Sequence, residues 1–352
     1  MYISHHLYGV SAFVLLLLHP IFISLSYLSV SLPVAYSFIL PSLNNLPQLF
    51  GSFALFVTII LLVITLYMNI EYDKWKLTHK FLGLGLFFSG LHILFIGSTL
   101  AVNLPLRIYF YFLVVLAVIS YLRRTVLGKY LIRRREFTVT GVEVTGEIIK
   151  VEMISADGKR FSFEPGQFIF AEFKRKGVLP QPHPFSITSD PRDEIISLGI
   201  KSVGEYTETL KLLRKDDPVL IEGPYGRFSY SYHPNIDQMW VAGGIGVTPF
   251  VSMAKNLPDS MKAILYYSVS EISEAVYYEE LKEIEKLKSN LKVILWESKK
   301  KGRFSIKEMG SIGVNSEYFI CGPKMMMKSL KSQLISIKIP QYKIHTEEFS
   351  LS

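Results

Sequence analysis

HHLYGVSAFVLLLLH, residues 5–19, and HKFLGLGLFFSGLH, residues 79–92, decide how the first third of this chain folds. Each is an apolar run bracketed by histidines. His5 and His19 stand fourteen residues apart, His79 and His92 thirteen. Four apolar segments are readable, at about 5–30, 48–70, 77–98 and 105–123, each long enough for a hydrocarbon core of ~30 Å. The second and fourth carry no histidine. Ionisable groups inside a bilayer are costly and usually functional. Two facing helices with two histidines each are suited to two stacked haems, with each iron ligated from both sides.

Charge sets the expected topology. The first connection, broken by Pro33, Pro41 and Pro47, has no charge; the second holds Glu71, Asp73, Lys74 and Lys76; the third is neutral until Arg107. Arg123, Arg124, Lys129, Arg133, Arg134 and Arg135 follow the fourth segment. Basic residues mark the cytoplasmic side, so the N-terminus and the long C-terminal part are expected inside a multi-pass cell-membrane protein. The net charge of +8 therefore reads as topology and contact with anionic lipid, not as a nucleic-acid surface. The single cysteine, Cys321, excludes an internal disulfide and fits a reducing compartment. The first apolar run is too long for a cleavable signal and lacks a basic leader.

Segments one and three then both run outward. His5 and His79 form an inner pair, and His19 and His92 an outer pair about 21 Å further along. Fourteen residues return to within about 40° of the same helix face, whereas thirteen miss by about 140°. Segment three is therefore expected to overwind or kink, at Gly83, Gly85, Ser89 or Gly90. Gly9 and Gly83 each follow an inner histidine by four residues and would leave room for a macrocycle edge. His6 is the alternative inner ligand and lacks that relation. The alternative for the whole set is hydrogen-bonded helix histidines.

Beyond residue 135 the chain is mixed, charged and punctuated by Gly and Pro, about 215 residues or two ordinary domains. Runs at Phe137–Val144, Glu147–Met153, Gln167–Phe173, Ile195–Ile200 and Pro218–Glu222 predict an antiparallel barrel. Short apolar strands at Trp240–Ala242, Ala263–Ser268, Lys292–Trp296 and Tyr318–Ile320 alternate with helical stretches at Tyr277–Lys288 and Lys324–Ile337. That pattern predicts a parallel, nucleotide-binding sheet. The expected domains are 1–126, an all-α four-helix transmembrane bundle; 135–228, an antiparallel β-barrel; and 235–352, an α/β Rossmann-like domain.

The motifs follow in order. His183-Pro184-Phe185-Ser186 offers an imidazole toward a phosphate, an aromatic to pack on a flavin ring and a hydroxyl to bond it. Gly204-Glu205-Tyr206-Thr207 opens a helix with N–H groups and a hydroxyl suited to a pyrophosphate. Gly223-Pro224-Tyr225-Gly226 closes the barrel, or is a simple tight turn. Val241-Ala242-Gly243-Gly244-Ile245-Gly246-Val247-Thr248-Pro249 lies between a strand and a helix, where glycines admit a phosphate backbone and Pro249 suits a first helical position. Cys321-Gly322-Pro323 ends the last inner strand, where ligand crevices form; Cys321 is alternatively a small buried hydrophobe. Glu347-Glu348-Phe349 lies almost at the terminus.

This order resembles a ferredoxin–NADP reductase-type module. The whole chain is similar to ferric reductases and NADPH oxidases, the transmembrane flavocytochromes b. The resemblance implies FAD contacts at His183, Pro184, Phe185, Ser186, Gly204, Thr207 and Gly226. It implies NADPH or NADH contacts at Gly243, Gly244, Gly246, Thr248, Pro249, Cys321, Gly322 and Pro323. Ser186, Cys321 and Phe349 would stand at the reacting rings, and His5, His19, His79 and His92 would hold two haem b groups. Electrons would pass from NAD(P)H through FAD and the haems to an external ferric chelate, or to O2 to give superoxide. Competing readings are a haem-free, membrane-anchored flavin reductase and a haem-binding sensor, although a sensor needs no second nucleotide site. Three departures stand out. Relatives usually have six spans against four here. Ser270 stands where relatives often carry an arginine for the NADPH 2′-phosphate; Glu271 is adjacent, and Lys299, Lys300, Lys301 and Arg303 are the available substitutes. The outer connections lack histidine, leaving Arg107 to attract an anion or to anchor its helix.

Overall fold

Asparagine and serine caps set where the apolar helices begin. In the computed structural model, which describes residues 2–68, 72–97, 102–127, 133–233, 237–310, 313 and 315–347, helices α1 (Tyr2–Ser26), α2 (Leu32–Ser37), α3 (Leu46–Tyr67), α4 (Tyr72–Phe95) and α5 (Leu104–Tyr121) make up the N-terminal unit. The Asn45 side chain accepts from the Gln48 amide at 3.3 Å, and Asn103 from Leu106 at 3.1 Å. Each cap satisfies a helix-end N–H that nothing in a bilayer would satisfy. Pro33 and Pro47 do more than break the first connection: each sits at a helix start, where its missing N–H costs nothing. The short helix α2 was not expected; the Ser24 hydroxyl donates to the Ala35 carbonyl at 2.8 Å and holds it to α1.

Among the described residues, four helices are long and apolar enough to cross a membrane: Leu7–Ser26, Leu46–Leu66, Lys74–Phe95 and Leu104–Tyr121. Their outer faces expose Phe56, Ile60, Phe87, Phe112 and Ile119, as lipid contact requires. Helices α3 and α4 pack along their length, while α1 has no comparable backbone packing with α4. Helix α4 runs without interruption from Tyr72 to Phe95. Its glycines are packing surfaces: a Cβ on Gly85 would lie 2.5 Å from Thr58 Oγ1, and one on Gly83 would lie 2.2 Å from the Tyr121 ring. Gly83 thus admits Tyr121, not a macrocycle edge, which corrects that expectation. Gly9 opens onto free space.

The second unit starts at Arg133. Strands β1 (Arg135–Thr145), β2 (Ile148–Ser155), β3 (Phe168–Phe173), β4 (His183–Ser186), β5 (Ile196–Lys201) and β6 (Pro218–Tyr225) form an antiparallel sheet in the order β4-β3-β6-β1-β2-β5. A bridge between Ile187 and Leu198 draws its edges together. Alternation turns Phe137, Val139, Ile149, Val151, Ile169, Ala171 and Val219 inward to one core. Arg134 and Arg135 fold onto this barrel instead of lying in a lipid-facing cluster. Arg134 pairs with buried Glu172 at 2.8 Å, and Arg135 bonds Ser155 and Asp157, each at 3.1 Å. A buried carboxylate draws a nearby cation more strongly than a solvated headgroup does.

Strands β7 (Asp237–Gly243), β8 (Lys262–Val269), β9 (Leu291–Glu297), β10 (Glu317–Cys321) and β11 (Ile344–Glu347) form a parallel sheet in the order β11-β10-β7-β8-β9. Helices α7 (Thr248–Lys255), α8 (Tyr278–Leu287) and α10 (Lys324–Ser336) accompany it; α6 (Glu205–Thr209) and α9 (Ser298–Lys301) are single turns. Strand β11, absent from the sequence reading, is too short to show a period.

Candidate functional site

Strand β4 presents two faces. His183 and Phe185 turn one way, and Pro184 and Ser186 the other. Phe185 is buried in the barrel core against Phe173, so it supports the sheet and does not pack on a flavin. The outer face is built differently from what the motif suggested. Ser186 pairs with Phe168, Pro184 with Phe170, and Phe168 with Tyr225 across neighbouring strands. Phe168, Phe170 and Tyr225 stand with ring centres 5.8–6.0 Å apart. They form a half-exposed aromatic platform beside the Ser186 hydroxyl, of a kind that a planar ring system can rest on. Sequence reading missed Phe168 and Phe170 because alternating aromatics in a strand look like core.

His183 stacks on Tyr206 at 3.7 Å between ring centres, which brings the HPFS and GEYT segments together. Burial pushes the Tyr206 hydroxyl far above its ordinary pKa, and that hydroxyl has no protein partner among the described residues. The Thr207 hydroxyl accepts from the Val203 and Gly204 amides at 3.0 Å each and donates to the Gly204 carbonyl at 2.9 Å. Those two amides are therefore spent on capping a single-turn helix. Gly204 itself faces open space.

Gln167, also unforeseen, ties the mouth of the barrel. Its amide donates to the Gly226 carbonyl at 3.0 Å, and its own carbonyl accepts from Ile187 at 3.0 Å. Gly226 adopts φ +98°, and a Cβ there would meet Glu347 Oε1 at 3.2 Å. Only glycine suits that turn and that approach. Glu347 ends β11 opposite Cys321. Its Oε2 is sealed from solvent without a partner among the described residues, and burial raises its pKa to about 8. A neutral carboxylic acid thus stands between the barrel mouth and Cys321. Phe349 lies outside the described residues.

The nucleotide loop and the CGP turn interlock. A Cβ on Gly246 would meet the Cys321 carbonyl at 2.5 Å, and one on Gly243 would meet Met326 at 2.7 Å. Gly322 adopts φ +153°, and a Cβ there would lie 2.9 Å from Gly243 Cα. A Cβ on Gly243 or Gly246 would thus strike protein; of the three loop glycines only Gly244 faces open space. The Thr248 hydroxyl is buried and donates to the Ile245 carbonyl at 3.0 Å, which stiffens the turn. Pro249 sits in the first turn of α7. Pro323 caps α10, with φ −55°. Cys321 is fully enclosed, and burial pushes its thiol up, so no thiolate is presented here. Helix α7 also reaches the barrel: Ser252 donates to Ser189 O at 2.8 Å and Lys255 to Thr188 O at 3.0 Å. The chain past β4 is thereby docked on the nucleotide helix.

The comparisons agree with this geometry. A family model described as an FAD-binding domain matches residues 132–229, and one described as an oxidoreductase NAD-binding domain matches residues 240–332. The chain is an FAD- and NAD(P)-binding oxidoreductase. Over its flavin part it is similar to respiratory burst oxidases. It is 31% identical over 166 residues to respiratory burst oxidase homolog protein D of Solanum tuberosum, 40% of this chain and 19% of that protein. It is 30% identical over 196 residues to the sulfhydrogenase 1 gamma subunit of Pyrococcus furiosus, 51% of this chain and 65% of that one. The chain thus spans less than two thirds of either relative. In fold it matches a flavohemoglobin from Malassezia yamatoensis with bound FAD and heme, at TM-score 0.60, 21% identity and 96% of each chain. A ferredoxin NADP+ reductase from Neisseria gonorrhoeae matches at TM-score 0.52 and 16% identity, over 62% of this chain and 99% of that one.

The helical unit holds the other candidate residues. His5 faces His79 with ring centres 6.0 Å apart, and His19 faces His92 at 6.4 Å. Two imidazole–metal bonds of about 2 Å each, plus the ring radii, match such separations. His92 Nδ1 lies 2.7 Å from the Pro47 carbonyl, an arrangement that fixes the proton on Nδ1 and leaves Nε2 its lone pair. Gly51 makes room for that ring: a Cβ there would lie 2.8 Å from His92 Nδ1. Trp75 stacks on His79 at 5.2 Å. The two couples form although the spacings differ, fourteen residues on α1 and thirteen on α4. The His6 side chain lies outside the described set.

Proposed function

We propose that this protein carries electrons from NAD(P)H, through FAD and two b-type haems, across the cell membrane to an external acceptor, ferric iron presented as a chelate. The observation that carries this reading is the pair of imidazole couples on α1 and α4 in a chain that also holds a flavin and nicotinamide module. FAD, when bound, supplies the exchange between two-electron and one-electron chemistry, and haem supplies one-electron carriage. The chain's own residues do the rest. The Phe168, Phe170 and Tyr225 platform with Ser186 orients the flavin ring. The His183–Tyr206 stack holds the nucleotide end. Gly244 and the start of α7 receive the dinucleotide. Neutral Glu347 keeps a proton in a water-poor site beside Cys321. The Pro47 carbonyl aims His92. The basic residues flanking the helices support a cytoplasmic flavin module, and the membrane potential would then favour outward electron movement by ~2.3 kcal/mol per 100 mV. Arg107 offers a cation to an anionic chelate.

Glu271, exposed just beyond β8, would repel a 2′-phosphate, which favours NADH. Three of the four substitutes considered for NADPH are engaged elsewhere: Lys299 pairs with Glu271, Lys300 lies 2.9 Å from Glu297 and Lys301 covers Trp296 at 5.0 Å. A second reading takes O2 as acceptor and is favoured by the names of the respiratory burst oxidases matched over the flavin part. One experiment tests both. Purified protein mixed with NADH under argon should show a reduced b-type haem spectrum. Ferric citrate should then reoxidise it faster than air does. Flavin bleaching without a haem band would establish the haem-free reductase instead.

A further inference from the structure

Away from the cofactor crevice, His233, Glu317 and His345 converge from three separate segments. They come from the turn before β7, the start of β10 and the middle of β11. Their ligand atoms all lie within 4.8 Å of one another. His345 Nε2 and Glu317 Oε2 are 2.7 Å apart, and the two imidazoles stack at 3.7 Å. Glu317 is buried and both histidines are half-buried. Phe319 backs the pair, 4.6 Å from the His345 ring centre. We propose that these three side chains form a binding site for a divalent first-row transition ion of the Zn2+ class. Two neutral imidazoles and one carboxylate are the donor set that such ions take, with a fourth position left to water. An isolated His–carboxylate pair would not need a second imidazole held face to face with the first. Modest ring rotations bring the donors onto bonds of about 2 Å.

The register gives the site its consequence. Phe319 pairs with His345, and Cys321 with Glu347. Residues two apart on a strand share a face, so Glu317, Phe319 and Cys321 line one side of β10 while His345 and Glu347 line the same side of β11. An ion held at the start of this ladder ties β11, an edge strand, to β10. Glu347 stands at the ladder's other end, at the cofactor crevice. The ion would be structural, fixing the strand that positions that acid.

The test uses the full flavin-loaded chain in detergent, with Co2+ as the optical probe and Zn2+ as competitor. His233→Gln sits on a turn and should leave flavin content unchanged; His345→Gln and the double variant complete the set. Wild type should take up one more equivalent of Co2+ than the double variant, with a visible absorption band that Zn2+ abolishes. Each single variant should weaken that uptake at least about tenfold. Zn2+ should raise the melting temperature of the wild type and not of the double variant. Equal Co2+ uptake by wild type and a flavin-loaded double variant would overturn the proposal and leave a plain imidazole–carboxylate pair.

Discussion

Glu347→Gln keeps the shape and neutrality of a protonated acid and removes its titration. In the folded chain burial raises the Glu347 pKa to about 8, from an ordinary value of 4.5. The folded state therefore holds a proton that the unfolded state releases between those values. Below pH 4.5 both states are protonated and the acid's contribution is complete. As pH rises from 4.5 to 8, stability falls by about 1.4 kcal/mol per unit, and above 8 the loss levels off at about 4–5 kcal/mol. The variant lacks this loss. Wild type and Glu347→Gln should melt together near pH 4.5, and the variant should be higher at pH 9. For a soluble module of this size each kcal/mol moves the melting temperature by about 2–4 °C, so a gap of about 10 °C is expected. Differential scanning fluorimetry of the flavin-loaded protein at five pH values measures it. A gap that is the same at pH 5 and pH 9 would refute the assignment of a neutral, buried Glu347.

Gly51→Ala places a methyl 2.8 Å from His92 Nδ1 and should push the ring off the Pro47 carbonyl; if two haems bind, pyridine haemochrome assay should fall from two haems per chain toward one, as it should for His19→Ala. Both variants should still oxidise NADH with a soluble dye as acceptor, and loss of that activity as well would mean general unfolding. Gly246→Ala drives a Cβ into the Cys321 carbonyl and should cost about 1–3 kcal/mol, weakening NAD(P)H binding while the flavin stays bound in a fluorescence assay. Ser270→Arg beside Glu271 should improve kcat/KM for NADPH over NADH about tenfold, the worth of one exposed phosphate contact of about 1.4 kcal/mol; an unchanged ratio would place the 2′-phosphate elsewhere.

The sequence carried the strands and the ring pairs well because both are set by short-range rules. Strand-like patterning predicted Gln167–Phe173 to within a residue and the start of Pro218–Glu222, whose strand runs on to Tyr225. The membrane helices were legible from length alone, and charge placed His5 with His79 and His19 with His92 before any coordinates did so. Side-chain direction was not legible. Phe185 and Phe168 are both aromatics beside a motif, and only the pairing of β3 with β4 shows that one fills the core while the other faces out.

The glycines show where motif reasoning goes astray. In Gly243-Gly244-Ile245-Gly246 a glycine was expected wherever a phosphate comes close. The partner that comes close is protein: the Cys321 carbonyl at Gly246, and Met326 at Gly243. Gly83 on α4 repeats the lesson with Tyr121. A missing Cβ records that something approaches, and the sequence does not say what. Glu347 is the converse case. Its carboxyl matters because of what fails to approach it, namely any hydrogen-bond partner for Oε2. That property arises only when β11 lies beside β10 and Gly226 closes over the end. It belongs to tertiary structure, so a carboxylate near a chain terminus reads as solvated until the sheet is assembled around it.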